Sequence, residues 1–199
     1  MNRSKNTNQS IFLTGFEPFL VNGTLVGNPT AGLVEALSTR VDYSVTLPVE
    51  YDRTRRLFDD YLSQYTPSVW VGLGLASART AIALEAIALN VQHSDGADNA
   101  GIYRHNTQII SGGPAAYQTQ LPLAELVATL RQHHVEAHVS YHAGTFLCNQ
   151  VYYQAARWAA FSDTPLHTAL FIHIPPEQCL PKPLALTALH TLLDWLEMR

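Results

Sequence analysis

The chain has 199 residues, 47% of them hydrophobic, and its 12 Lys and Arg against 16 Asp and Glu give a formal net charge of -4. This length suits one well-formed α/β core and is too short for two ordinary domains. The acidic balance, without a basic cluster interleaved with aromatic residues, argues against nucleic acid as a partner. No apolar stretch reaches the roughly 20 residues that a membrane helix needs, so we expect no membrane partner either.

The chain begins with a polar stretch. Residues 1–10 contain no apolar segment of the kind found in a signal peptide. We therefore expect a disordered N-terminal tail over 1–10, a single domain over 11–199 and a cytoplasmic location.

Apolar patterns predict strands and helices in turn along the rest of the chain. The predicted strands cover 11–14, 41–47, 69–73, 84–91, 137–141 and 170–175, and the predicted helices cover 28–37, 51–65, 122–130, 148–161 and 184–198. A long connection rich in Gly, Asp and Asn covers 94–114. This alternation predicts an α/β fold, a single-domain three-layer sandwich whose twisted sheet is mixed, mostly parallel and covered by helices on both faces.

One of the two cysteines, Cys148, lies at a predicted junction between a strand and a helix. Unpaired backbone N–H groups and the positive end of the helix dipole favour an anion at such a junction. We therefore expect the pKa of the Cys148 thiol to be lowered toward the reactive range. This is how a nucleophilic thiol is presented, whereas Cys179 follows a Pro-rich stretch and is interpreted as a bystander.

Two further polar residues, His173 and Glu85, lie within apolar strand patterns. A polar group buried without a partner costs roughly 1–3 kcal/mol, so each could be the partner of the other. A base held by a carboxylate is what a nucleophilic cysteine needs. Taken singly, each also fits a structural role: a hydrogen-bonded core histidine, a solvent-facing glutamate and an inert buried thiol.

Several separated motifs occur in an order that matches a known enzyme family. They are LTGFEPF (13–19), NP (28–29), GLGLA (72–76) with Arg79, Glu85 with ALN (88–90), DNAG (98–101), GGPAAY (112–117), TQLP (119–122), SYHAGTFLCN (140–149) and FIHIP (171–175). Through them the chain, from Ile11 to about Gln178, resembles the pyroglutamyl peptidase I (pyrrolidone-carboxylate peptidase) family. Members of that family are cysteine peptidases that remove an N-terminal pyroglutamyl residue from peptides.

The resemblance assigns catalytic roles to individual residues. Cys148 matches the family nucleophile, His173 its general base and Glu85 the carboxylate that orients the imidazole. The backbone N–H of Cys148 is the natural donor to the oxyanion of the tetrahedral intermediate. The implied chemistry uses no metal and no organic cofactor.

The resemblance also implies a pocket for a small, flat, uncharged lactam. Phe16, Phe19, Asn28, Leu75 and Phe146 match positions that bind the substrate, the aromatic rings by stacking and Leu75 through its backbone. The expected partners are N-terminally pyroglutamylated peptides. A homo-oligomer, a dimer or a tetramer, is expected as well.

The sequence departs from the family pattern in two places that concern the site. The loop over 20–27 is longer than usual, and Asp95 stands where many bacterial members carry an arginine thought to help the oxyanion. Two alternatives therefore stay open. The chain could be a binding protein on the same scaffold with weakened catalysis, or a thiol amidase that acts on another small amide.

Overall fold

The computed structural model describes residues 9–21, 23–161 and 163–198. Residues 1–8 of the expected tail lie outside the described residues. Ser10 is held against Ser68, whose Oγ accepts a hydrogen bond from the Ser10 N–H at 2.8 Å. The Ser68 N–H in turn donates to the carbonyl of Ser10 at 3.0 Å.

The elements follow one another in the alternating order that the sequence pattern predicts. In chain order they are β1 Ile11–Phe16, β2 Phe19–Val21, β3 Thr24–Val26, α1 Pro29–Leu37, β4 Tyr43–Leu47, α2 Tyr51–Tyr65, β5 Val69–Leu75, β6 Ile82–Glu85, β7 Ile87–Leu89, β8 Ala116–Gln118, α3 Leu123–Gln132, β9 Ala137–Ser140, α4 Leu147–Ala159, β10 Thr168–Ile174 and α5 Lys182–Glu197. In the described part of the chain, no helix combines the length and the apolar character needed to cross a membrane.

The central sheet has six strands in the order β4-β1-β5-β10-β6-β9. All neighbouring pairs are parallel except β10 and β6, which are antiparallel. Helices α2 and α4 pack together on one face, and α5 packs with α1 and α3 on the other. The predicted fold class, a mixed and mostly parallel sheet between two helical layers, is confirmed.

Each face of the sheet has its own hydrophobic core. On the α2 and α4 side the core is aromatic, with Trp70, Phe171 and Tyr152 in ring contact. The core on the other side is aliphatic and contains Trp195 near its edge. Because the strands between the two cores are buried on both sides, they read as continuous apolar runs in the sequence.

The predicted strand over 84–91 is wrong in its extent, because the chain changes sheets at Ala86. β6 stays in the central sheet, while β7 pairs with β8 in a separate two-stranded sheet. The side chain of Asn149 on α4 holds the chain after this change: its amide accepts from the N–H of Leu89 and donates to the carbonyls of Leu89 and Val91. A side chain from a distant helix thus binds the end of β7 in addition to its partner strand β8. The hairpin of β2 and β3 was also not predicted.

Candidate active site

Cys148 lies in the first turn of α4, at the end of a loop whose shape is fixed locally. Gly144 has φ of 77°, a conformation that costs glycine little and other residues more. Two hydrogen bonds join Thr145 to His93. The His93 N–H donates to the Thr145 carbonyl at 3.0 Å, and Thr145 Oγ1 donates to the His93 carbonyl at 2.8 Å. No described side chain caps the first turn of α4. The N–H groups beside the thiol are therefore not taken up by a capping side chain.

The thiol packs directly against the central sheet at Gly74. A Cβ atom built on Gly74 would stand only 2.8 Å from Cys148 Sγ, so the sulfur occupies the space that a side chain would need. Gly74 is the register partner of His173 on the adjacent strand β10. Since register partners of parallel strands face the same side, the thiol and the imidazole share one face of the sheet at neighbouring positions.

His173 and Glu85 form a close buried pair on that same face. His173 Nδ1 lies 2.6 Å from Glu85 Oε1, with His173 6% exposed and Glu85 fully buried. Glu85 opposes Phe171 in the antiparallel register of β6 and β10, which places it diagonally beside His173. The carboxylate can only accept, so Nδ1 carries the proton and Nε2 is left as the basic nitrogen.

Arg79 binds the same carboxylate oxygen, Glu85 Oε1, that contacts His173, a contact for which no role was predicted. Its Nη1 donates to Glu85 Oε1 at 2.9 Å and its Nη2 to Ser140 Oγ at 3.1 Å. A fully buried carboxylate needs a cation, and Arg79 lies six residues before it in a matching motif. That requirement is the signal that could have identified Arg79. The Tyr152 hydroxyl adds a hydrogen bond to the backbone carbonyl of Glu85 at 2.8 Å.

The expectation of a lowered thiol pKa is wrong for the free protein. The pKa of Cys148 is raised from 9.0 to about 12, chiefly by burial and secondly by the nearby negative charge of Glu85. The backbone N–H at the start of α4 and the positive charge of Arg79 oppose this shift without overcoming it. The thiol is therefore held neutral, and it can become a nucleophile only by passing its proton to a base.

A small cavity of about 70 Å³ opens beside the thiol. Cys148 lines it, together with all the residues predicted to bind the substrate and two further apolar residues. They are Phe16, Phe19, Asn28, Leu75 and Phe146, with Val49 and Leu147. Asn28 caps α1 by accepting the N–H of Thr30 at 3.1 Å and donates to the carbonyl of Glu17 at 3.3 Å. The cavity has room for one small ring and is mostly apolar.

Asp95 does not line this small cavity. Its side chain is fully exposed, and Oδ1 lies 3.7 Å from His93 Nε2.

Cys179 is exposed and, like Cys148, is a free thiol. Within 9–21, 23–161 and 163–198, no three His, Cys, Asp or Glu side chains are grouped in a way that could hold a metal ion.

Comparison with known proteins gives the same family as the motifs. The family model described as pyroglutamyl peptidase matches residues 9–190. The chain belongs to the pyroglutamyl peptidase family. The pyrrolidone-carboxylate peptidase of Thermococcus litoralis is 32% identical over 181 residues, 87% of this chain and 80% of that protein. Pyrrolidone-carboxylate peptidase 1 of Ralstonia nicotianae is 35% identical over 83% of this chain and 78% of that protein.

Solved structures agree with the sequence comparison. The pyrrolidone carboxyl peptidase of Fervidobacterium islandicum AW-1 has a TM-score of 0.86 and 31% identity, covering 96% of this chain and 99% of that one. A pyroglutamyl peptidase I of Bacillus amyloliquefaciens has a TM-score of 0.84 and 29% identity, covering 96% and 98%. The pyroglutamyl peptidase family consists of cysteine peptidases that remove N-terminal pyroglutamate, and this defines the enzyme class of the chain.

Proposed function

We propose that Cys148 and His173 are the catalytic residues of this pyroglutamyl peptidase and that Glu85 positions the imidazole. The observation that carries the proposal is the position of the thiol: Sγ packs on Gly74, whose register partner is His173. The small cavity beside the thiol has the predicted substrate-binding residues as its lining. These two observations support a nucleophile, a base and an acyl pocket at one point.

The reaction begins with a proton transfer, because the resting thiol is neutral. His173 Nε2 takes the proton from Cys148 Sγ, and the thiolate attacks the carbonyl carbon that joins pyroglutamate to the next residue. The oxyanion of the tetrahedral intermediate is stabilised by the backbone N–H of Cys148 at the start of α4. The intermediate then collapses to a thioester as the protonated Nε2 gives its proton to the departing amine.

The second half of the reaction releases the acyl group. His173 Nε2 takes a proton from water, and the resulting hydroxide attacks the thioester carbonyl. The carbon–sulfur bond breaks, pyroglutamate leaves, and the proton on Nε2 returns to the thiolate. Throughout, Glu85 accepts from Nδ1–H and stabilises the imidazolium that forms twice in the cycle.

Substrate selection rests on the small cavity. Phe16, Phe19 and Phe146 supply apolar faces on which the lactam ring can stack. The lactam N–H and C=O need partners in a dry pocket, and the backbone near Leu75 is proposed to supply them. Proline lacks the ring carbonyl and would leave its partner unpaired, so prolyl substrates are rejected.

Hydrolysis of a fluorogenic pyroglutamyl amide tests this function, with prolyl and glutaminyl amides as controls. We expect turnover of the pyroglutamyl compound alone, loss of turnover in Cys148→Ser, and full turnover in the matched variant Cys179→Ser. A folded, reduced protein that hydrolyses none of the three would point to a binding role on the same scaffold. Turnover of a different small amide would point to a thiol amidase.

Four further expectations concern location, substrates, cofactors and assembly. We propose a cytoplasmic peptidase that acts on N-terminally pyroglutamylated peptides, needs no metal or organic cofactor and assembles as a dimer or tetramer. Sedimentation of the purified chain over a range of concentrations tests the assembly. A monomer at every concentration would contradict it.

A further inference from the structure

A larger cleft of about 750 Å³ lies next to the small cavity. One wall is β2 with Gly23 from the hairpin of β2 and β3, and the other comes from the segment 93–103. Asn99 ties the two walls together: its Oδ1 accepts from the N–H of Leu20 at 2.9 Å and its Nδ2 donates to the carbonyl of Pro18 at 3.0 Å. We call this space the outer cleft.

The outer cleft adjoins the small cavity. Phe19, Val49 and Phe146 line both spaces, and Cys148 lines only the small one. A peptide whose first residue fills the small cavity has to continue away from the thiol. The outer cleft is the adjoining space that can receive the residue after the pyroglutamyl group.

The charge of the outer cleft is negative. Asp95 projects its carboxylate fully into solvent at the lining. Asp98 also lines the cleft, but its Oδ2 accepts from the N–H of Tyr51 and its Oδ1 from two N–H groups of the loop it closes. The lining, as drawn from the described residues, contains no lysine or arginine. Arg104 packs on the Tyr51 ring and is paired with Asp52 at 2.6 Å.

The hairpin gives the outer cleft an apolar side opposite that charge. Leu20 and Val21 line it and are 41% and 45% exposed. Lysine and arginine have an apolar stem and a cationic head, which suits a site with an apolar wall and a carboxylate. The two departures from the family pattern, the long loop over 20–27 and Asp95, thus lie on the same cleft.

We propose that the outer cleft binds the residue after the pyroglutamyl group and that Asp95 makes it selective for a basic one. This inference rests on the proposed peptidase function. Asp95, which stands in place of an arginine, then has a role in binding: its negative charge attracts a basic residue of the leaving peptide. The consequence is a preference for pyroglutamyl-lysyl and pyroglutamyl-arginyl peptides over pyroglutamyl-glutamyl ones.

The test is direct competition among three dipeptide amides: pyroglutamyl-lysine, pyroglutamyl-glutamine and pyroglutamyl-glutamate amide. Their consumption in one reaction, followed by mass spectrometry, gives the ratios of kcat/KM. At an ionic strength of about 10 mM we expect the lysine compound to be preferred over the glutamate compound about tenfold. The preference should fall toward one at about 1 M salt, where charges are screened within ~3 Å.

Variants separate Asp95 from the rest of the negative surface. Asp95→Asn should reduce the preference to about twofold or less, and Asp95→Lys should reverse it. Asp60→Asn removes an exposed carboxylate from α2, outside the cleft lining, and should keep the wild-type ratio.

The outcomes separate the two proposals. If all three amides are hydrolysed with equal kcat/KM in the wild type, or if Asp95→Asn keeps the wild-type ratio, the inference is overturned and the peptidase function stands. If no amide is hydrolysed, the proposed function fails and the inference fails with it.

Discussion

Cys148 shows how far burial can change the chemistry of one side chain. In the free protein its pKa is raised to about 12, so the thiolate fraction at neutral pH is very small. The shift also bears on stability. The folded state favours the neutral thiol. Its contribution to the free energy of unfolding is therefore fully present below pH 9.0, the ordinary thiol pKa, and is lost as the pH rises toward 12.

Alkylation of Cys148 by iodoacetamide should follow this shift. In the Cys179→Ser background we expect the rate to rise about tenfold per pH unit from pH 7 upward, because only the thiolate reacts. Free cysteine in solution, run alongside, should level off above about pH 8.5. A plateau for Cys148 near neutral pH would instead show a stable thiolate–imidazolium pair in the resting enzyme.

Arg79 is the residue on which the buried carboxylate depends. Its removal would leave Glu85 fully buried without its cation. We expect Arg79→Ala to lower the free energy of unfolding by about 2–3 kcal/mol, less than for a fully buried pair because Arg79 is about a quarter exposed. It should also lower kcat more than tenfold with little change in KM, since a misplaced Glu85 no longer orients His173.

Two variants separate the charge of Arg79 from its geometry. Arg79→Lys keeps the charge and loses the fork between Glu85 and Ser140, so it should recover part of kcat. Ser140→Ala removes the hydrogen bond from Arg79 Nη2, together with the one that Ser140 Oγ donates to the His142 carbonyl at 3.3 Å, and should stay near the wild type. Urea unfolding and steady-state kinetics measure both effects, and a wild-type kcat in Arg79→Ala would refute the positioning role.

For single residues, the sequence shows the residue type and the order of the motifs, but not the burial and charges around each side chain. Cys148, His173 and Glu85 could be picked out because each type matches a motif and sits at a junction or in an apolar run. The thiol pKa could not be predicted, because it is the sum of burial and of charges on other strands. Arg79 could have been identified only from the need of a buried carboxylate for a cation, and that need stays hidden as long as Glu85 could equally face solvent.

Strand β5 positions the thiol through a residue that has no side chain. Replacing Gly74 by alanine would place a Cβ 2.8 Å from both Cys148 Sγ and the Phe171 ring. We expect Gly74→Ala to displace the sulfur and lower kcat more than tenfold, with a loss of about 1–3 kcal/mol in stability from overpacking. Kinetics and urea unfolding on the same preparation measure the two effects.

Gly72→Ala on the same strand is the matched control. The three atoms nearest to its Cβ would belong to Trp70 and Phe171, and none of them to the thiol. It should lose comparable stability and, well below its unfolding midpoint, keep kcat within about threefold. Equal losses of kcat in both variants would mean that general strain in the aromatic core, and not the space for the sulfur, controls the rate.

The elements of the central sheet were predictable because their patterns are local. Buried parallel strands and amphipathic helices carry their signature within a single window of sequence. The change of sheets at Ala86 could not be predicted in this way. Beyond it the chain pairs with β8, about thirty residues later, and is bound at Leu89 by the side chain of Asn149, some sixty residues later.

As a whole molecule, the chain has two hydrophobic cores that share one sheet. We expect them to unfold together, because β10 and β5 contribute buried side chains to both. Urea titration of protein labelled with 5-fluorotryptophan would follow Trp70 in one core and Trp195 in the other by ¹⁹F NMR. Their native resonances should disappear at the same urea concentration, and separate midpoints would contradict a single domain over 11–199.

The position of β10 also sets the order in which the enzyme can become active during synthesis. β10 is the last strand of the chain, yet it lies between β5 and β6, so until it enters, the earlier strands form two separate groups. Glu85 leaves the ribosome 88 residues before the histidine it pairs with. A nascent chain therefore carries its reactive cysteine without a base, and peptidase activity arises only once the final strand has joined the two halves of the sheet.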